Sequence, residues 1–239
     1  MALRGLLFDK DGTLIDFDAT WGPACYEAMR ALAEGDRGRL ERLMAVSHYD
    51  EAERRFRPTS PLIAGSSAHY GPLWAEALGR PATEDLFAEI DELFEFWGLE
   101  SLSPIGHPAE LLAGFAAEGR HLGIATNDAE SSARAQAGAM GLADLVPFIA
   151  GYDSGFGPKP GPGMVLAFMR AHGLDASETA LIGDTLHDMH AARAAGAVPI
   201  AVLTGPPGAT APADLAAHAD HVIASVAELP DLLASLSRQ

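Results

Sequence analysis

LRGLLFDKDGTL, residues 3–14, is an apolar run that breaks off abruptly into charge. Leu3 to Phe8 reads as a short buried strand, and Asp9, Lys10, Asp11, Gly12 and Thr13 as the polar groups delivered at its carboxyl end. Runs of the same texture return only beyond Pro104: LGIAT at 122–126, PFIAGY at 147–152, ALIGD at 180–184, PIAVLTG at 199–205 and HVIAS at 221–225. Ala-rich amphipathic segments separate them, the alternation expected of a parallel sheet with helices on both faces.

Between the first strand and the rest the period changes to that of a helix. WGPACYEAMRALAEG, RGRLERLMAVSHYDEAERRF, SSAHYGPLWAEALG and TEDLFAEIDELFEFWG space their apolar residues by three or four. The expectation is an α/β fold, a doubly wound parallel sheet with a Rossmann-like core, interrupted by an inserted all-helical cap of about four helices. Residues 1–15 and 100–239 would form the core and 16–99 the cap. Gly98 to Pro104 and Asp16 to Asp18 mark the connectors, and TGPPGATAPAD is expected to be a loop.

Composition narrows the partners. Of the 239 residues, 33 are acidic and 16 basic, a formal net charge of -17 that repels nucleic acid and anionic lipid alike. A phosphate group would be repelled too, so a site for one needs locally concentrated positive charge. The single Cys25 cannot form an intramolecular disulfide and reads as a small apolar helix residue. No apolar run approaches the length of a membrane span, and MALRGLLF is too short for a signal-peptide core; with Asp9 so near the start, a cytoplasmic location is expected. A monomer and a homodimer are both compatible with the sequence.

In an open parallel sheet ligands bind beyond the carboxyl ends of the strands, and the residues there form a pattern. Asp9 and Asp11 follow the first strand, Thr126, Asn127 and Asp128 the second, and Asp184 and Asp188 the fourth; Lys159 lies in GPKPGPG ahead of a helix beginning near Gly163. On an extended segment Asp9 and Asp11 share a side while Lys10 points away. Converging carboxylates call for a cation, and magnesium, a hard oxygen-seeking ion, suits them while bridging to a phosphate. A carboxylate nucleophile can form an aspartyl-phosphate, a second carboxyl group can serve as acid and base, and Thr126, Asn127 and Lys159 can hold the phosphate oxygens.

The order of these elements resembles that of the haloacid dehalogenase superfamily, in particular its phosphatases with a helical cap after the first strand, the group containing phosphoglycolate phosphatase. DKDGTL is similar to the family's first motif, Thr126 in GIATND to its second, Lys159 in GPKPGPGM to its third, and GDTLHDM with AARAAG to its fourth. The resemblance implies that Asp9 is nucleophile and metal ligand, and that Asp11 is the acid/base with its backbone carbonyl on the metal. It further implies Asp184 as a direct ligand, Asp188 as a ligand of metal-bound water, and Thr126 with Lys159 as the phosphate clamp. The substrate would be a small phosphorylated metabolite and the cofactor Mg2+.

Lys10 departs from the family, which more often has an apolar residue there; it either adds charge at the site's mouth or pairs with a surface acid. Lys10 and Lys159 are the two lysines of the chain, so the insertion has none with which to form the Schiff base of a phosphonoacetaldehyde hydrolase. A haloacid dehalogenase would need neither metal nor an acid/base at position 11. A phosphoryl-transfer mutase of the same fold, β-phosphoglucomutase-like, stands as the alternative, and a phospho-receiver module as a remote one, being shorter and lacking the insertion. An inserted bundle able to close over the sheet's rim would select the substrate, with His48, Arg54, Arg55, Arg57, His69 and Tyr70 as candidates. Phe87, Phe94, Phe96 and Trp97 are expected in bundle core and hinge packing.

Overall fold

The structure, a computed structural model, describes residues 3–63 and 67–238; Ser66, where the third helical stretch begins, lies outside them. The first strand, β1 (Gly5–Phe8), is buried along its whole length. The chain then enters α1 (Phe17–Ala33), where Trp21, Ala24, Cys25, Ala28, Met29 and Leu32 recur at helical spacing and are buried together. Asp36 caps α2 (Arg37–Val46) by accepting from the Arg39 amide.

The second helical stretch stops at Val46, short of the expected Phe56, and gives way to a small antiparallel hairpin, β2 (Tyr49–Asp50) with β3 (Arg55–Phe56). Local chemistry explains the break. His48 and Arg54 take positive φ values, 47 and 50°, and the Asp50 carboxylate accepts from the amides of Ala52 and Glu53 at 3.1 and 3.2 Å, a turn that competes with helix continuation. The insertion resumes with α3 (Ser67–Leu78) and α4 (Glu84–Glu100), the latter capped by Thr83 and opened by Glu84 and Asp85, which suit the positive end of its dipole. Trp74 is fully buried, and its indole Nε1 donates to Ser47 Oγ at 2.9 Å, satisfying a polar atom that burial would otherwise strand.

The sheet returns after α5 (Pro108–Ala117) with β4 (His121–Ala125), α6 (Glu130–Ala139), β5 (Phe148–Ala150), α7 (Gly163–His172) and β6 (Thr179–Gly183). It is completed by α8 (Leu186–Ala195), β7 (Val198–Val202), α9 (Pro212–His218), β8 (His221–Ile223) and α10 (Leu229–Leu236). The strand order is β5-β4-β1-β6-β7-β8, all parallel. Counting these strands in chain order gives 3-2-1-4-5-6, the doubly wound arrangement whose order reverses at β1. Leu7, Met164, Phe168 and Leu181 pack among buried alanines on one face of the sheet.

Two compact units result, Met1–Asp16 with Pro104–Gln239, and Phe17–Ser103. Among the described residues, no helix is long and apolar enough to cross a membrane.

Candidate active site

Register places the polar residues on one edge. Phe8 is level with Ile124 on one side and Ile182 on the other, so Asp9, Thr126 and Asp184 all emerge within two residues of that line, where the strand order reverses. The oxygens of Asp9, Asp184 and Asp188 that could bind a metal lie within 4.8 Å of one another, and all three residues are buried. Lys159 Nζ donates to Asp9 Oδ1 and Asp188 Oδ1, each at 2.6 Å.

The chain turns immediately after Asp9. The amides of Thr13, Leu14 and Ile15 all reach back to Lys10 O, and Gly12 takes φ +76°, which few other residues would adopt without strain. The side-to-side alternation of a strand therefore ends before Asp11, which corrects the expected direction of Lys10 and rules out the surface pairing, one of its two alternatives. Lys10 neither points away from Asp11 nor faces the surface: the side chain is fully buried, with Nζ 2.5 Å from Asp11 Oδ2 and 2.8 Å from Asp128 Oδ2. Burial alone would lower the pKa of this ammonium, but Asp11 and Asp128 outweigh it and push it up to about 12.

Asn127 and Thr126 follow β4 beside the carboxylate cluster. Asn127 spends its side chain on the neighbouring loop: Nδ2 donates to Lys159 O at 3.0 Å and Oδ1 accepts from Lys159 N at 2.8 Å. This reciprocal pair fixes the backbone of the lysine, leaving the main chain of Asn127 as what it can offer a ligand. Thr126 Oγ1 accepts from Asp128 N at 3.1 Å, so its own hydrogen is left to donate to an oxygen in the site.

Asp184 sits in a cradle cut by glycines. A Cβ on Gly12 would come within 2.4 Å of its Oδ2, and one on Gly205 within 2.3 Å. Thr13 Oγ1 makes a long 3.4 Å bond to Oδ1, and Thr204 Oγ1 ties the Gly12 carbonyl at 2.6 Å. Thr204 and Gly205 follow β7 in a loop that ends at Ala211, since the expected loop TGPPGATAPAD gives way to α9 at Pro212; nothing in their letters alone distinguishes them from turn residues. Asp188 is spoken for as well: Oδ2 accepts from Thr185 N at 3.1 Å and Thr185 Oγ1 at 2.6 Å, a capping box that starts α8.

The charges in this cluster do not balance. Against the Asp9, Asp184 and Asp188 carboxylates stands the Lys159 ammonium, three negative groups to one positive. Burial raises the pKa of Asp9 to about 7, with Asp188 and Asp11 pushing the same way and Lys159 pulling against them. Asp184 is raised well above the usual carboxylate range by burial and by Asp9 and Asp188. Lys159 is raised despite burial, because Asp188 and Asp9 hold its proton. Oxygen-only donors with surplus negative charge fit a hard divalent cation and no soft one. Asp11 stands apart from the three, its carboxylate turned to Lys10.

Of the six candidates in the insertion, His48 and Arg57 line one cavity with Tyr49 and Thr59, and the Arg57 amide donates to His48 O at 2.8 Å. Tyr70 is buried against Trp74 and Phe94. His48 Nδ1 pairs with Thr59 Oγ1 at 2.8 Å, Arg54 lies 4.9 Å over the Tyr26 ring, and Arg57 Nη2 is 3.8 Å from Asp50; Arg55 and His69 are exposed. Phe87, Phe94 and Trp97 pack on the helical core as expected, whereas Phe96 is 56% exposed and is not part of it.

Comparison with known proteins agrees with this geometry. A family model described as haloacid dehalogenase-like hydrolase matches residues 3–196. The chain is 30% identical to a phosphoglycolate phosphatase of Rhodospirillum rubrum over 202 residues, 84% of this chain and 79% of the relative. It is 31% identical to the N-acetylmuramic acid 6-phosphate phosphatase of Pseudomonas aeruginosa over 236 residues, covering 98% and 96%. A solved structure from Thermotoga maritima, provisionally assigned as a β-phosphoglucomutase, superposes with a TM-score of 0.69 at 20% identity, covering 97% of this chain and 99% of that one; at that identity it speaks for the fold.

Proposed function

The chain belongs to the haloacid dehalogenase-like hydrolases, and on that footing we propose that it is a phosphatase cleaving a small phosphate monoester, phosphoglycolate or a comparable phosphorylated metabolite. The reaction runs through an aspartyl-phosphate on Asp9, with magnesium held by Asp9, Asp184 and the backbone carbonyl of Asp11. The observation that carries the reading is the buried cluster in which one ammonium, Lys159, is shared at 2.6 Å by Asp9 and Asp188 beside Asp184. Such a surplus of negative charge is of little use to stability and of direct use to a site that must recruit a cation and then an anion. In this reading the unit of residues 1–16 and 104–239 is the catalytic core and the insertion 17–103 carries substrate selection; the expected boundary at 99/100 moves to 103/104 because α4 runs on through Glu100.

Each side chain has a task. Asp9 attacks phosphorus, and the leaving alcohol takes a proton from the Asp11 carboxyl group. Water then attacks the acyl-phosphate while Asp11 takes a proton from it. Lys159 neutralises an equatorial phosphoryl oxygen, and the Thr126 hydroxyl and the Asn127 main chain donate to the others. Asp188 orients Lys159 from a helix start and is itself fixed by Thr185. When bound, the cation supplies positive charge that keeps Asp9 ionised and offsets charge developing on the phosphoryl group.

The relatives' names support the substrate class, since both denote phosphatases of small phosphorylated acids. The test is a panel of phosphoglycolate, N-acetylmuramic acid 6-phosphate and sugar phosphates, assayed with magnesium and with chelator. Sustained, magnesium-dependent release of inorganic phosphate from at least one of them is expected. A single turnover followed by transfer to a sugar would point to the mutase instead, and no release from any member would refute the phosphatase.

A further inference from the structure

Lys10 and Asp128 take no step in the proposed reaction, yet they hold one of its participants. Lys10 is fully buried, and its ammonium spans two carboxylates, Asp11 Oδ2 at 2.5 Å and Asp128 Oδ2 at 2.8 Å. Asp128 is itself fixed on the loop that follows β4. Its amide donates to Thr126 Oγ1 at 3.1 Å, and its carbonyl accepts from Tyr152 N at 3.0 Å. A chain of contacts thus runs from the phosphate-facing Thr126 through Asp128 and Lys10 to the Asp11 carboxyl group. A buried ammonium held at both ends is a stiff strut, since leaving that charge uncompensated in the interior is costly.

We propose that Lys10, anchored on Asp128, is a positioning residue that orients the Asp11 carboxyl group for proton transfer. The proposal rests on the reading of Asp11 as acid/base given above. The step most exposed to a misplaced Asp11 is the second: water oxygen bonds to phosphorus, its proton passes to Asp11, and the phosphorus–oxygen bond to Asp9 breaks with its electron pair returning to that carboxylate.

p-Nitrophenyl phosphate isolates this step, because its leaving group departs as an anion without a proton donor. In rapid mixing, Lys10→Met should release about one nitrophenolate per site at nearly the wild-type rate and then turn over about tenfold more slowly or worse. Asp128→Asn, whose side chain is 36% exposed and whose fold is under less threat, should show the same burst with a smaller loss. If Lys10→Met does not fold, Asp128→Asn decides alone. Equal slowing of first and later turnovers would reduce the strut to a structural element and overturn the proposal; steady rates within about twofold of wild type would do the same. A wild-type enzyme with no magnesium-dependent release at all would remove the phosphatase reading beneath it, a result distinct from either.

Discussion

Gly205 contributes the absence of a side chain, and Asp184 uses it. With a Cβ there, the Asp184 carboxylate would have to move from a place it shares with Gly12, since either methyl would come within 2.4 Å of Oδ2. Overpacking at this point should register at the metal before it registers in the fold. Gly205→Ala is expected to raise the magnesium concentration giving half-maximal activity about tenfold while costing about 1–3 kcal/mol of stability. A magnesium titration checks it, and an unchanged midpoint would show that Asp184 is not held there for a cation. Lys10 teaches the complementary lesson. Its letter is visible, but its direction depends on where β1 gives way to a turn, and three amides folding back on its carbonyl decide that.

At the level of elements, the strands were legible because each couples a short apolar run to an abrupt polar end, as LGIAT does before Asn127 and ALIGD does at Asp184. The hairpin at 49–56 was not, because its apolar residues Tyr49 and Phe56 fall at helical spacing within a helix-like stretch, and only the Asp50 turn and two positive φ values break it. Of the site, the strand-end aspartates and Lys159 could be found from order and spacing. The Gly205 and Thr204 cradle and the Asn127 clasp on Lys159 could not, since they depend on loops meeting across more than thirty positions of chain. The start of α8 joins both kinds of information, its capping box orienting Asp188, which in turn holds Lys159. Thr185→Ala removes the 2.6 Å hydroxyl bond and should lower the stability of the core by about 1 kcal/mol in urea unfolding. No change in midpoint would mean the cap is idle.

For the whole molecule the balance of charge sets how stability answers to pH and metal. An Asp9 raised from 3.8 to about 7 means that, without a cation, the folded chain holds a proton through that window which the unfolded chain has released. Its contribution is therefore fully present below the lower value and is lost as pH rises through the upper one; Asp184 is shifted the same way. Magnesium competes with that proton, so the rise in Tm on adding magnesium should be small near about pH 5 and several degrees near about pH 8. Equal increments at both would contradict a cation bound to these carboxylates. In the proposed reaction the phosphoryl group passes through Asp9. Acid quenching of the enzyme in mid-turnover, followed by peptide mass mapping, is expected to find one phosphoryl group on the peptide containing Asp9 and none in Asp9→Asn. Turnover with no covalent phosphate on the chain, or with the label on a different residue, would contradict it.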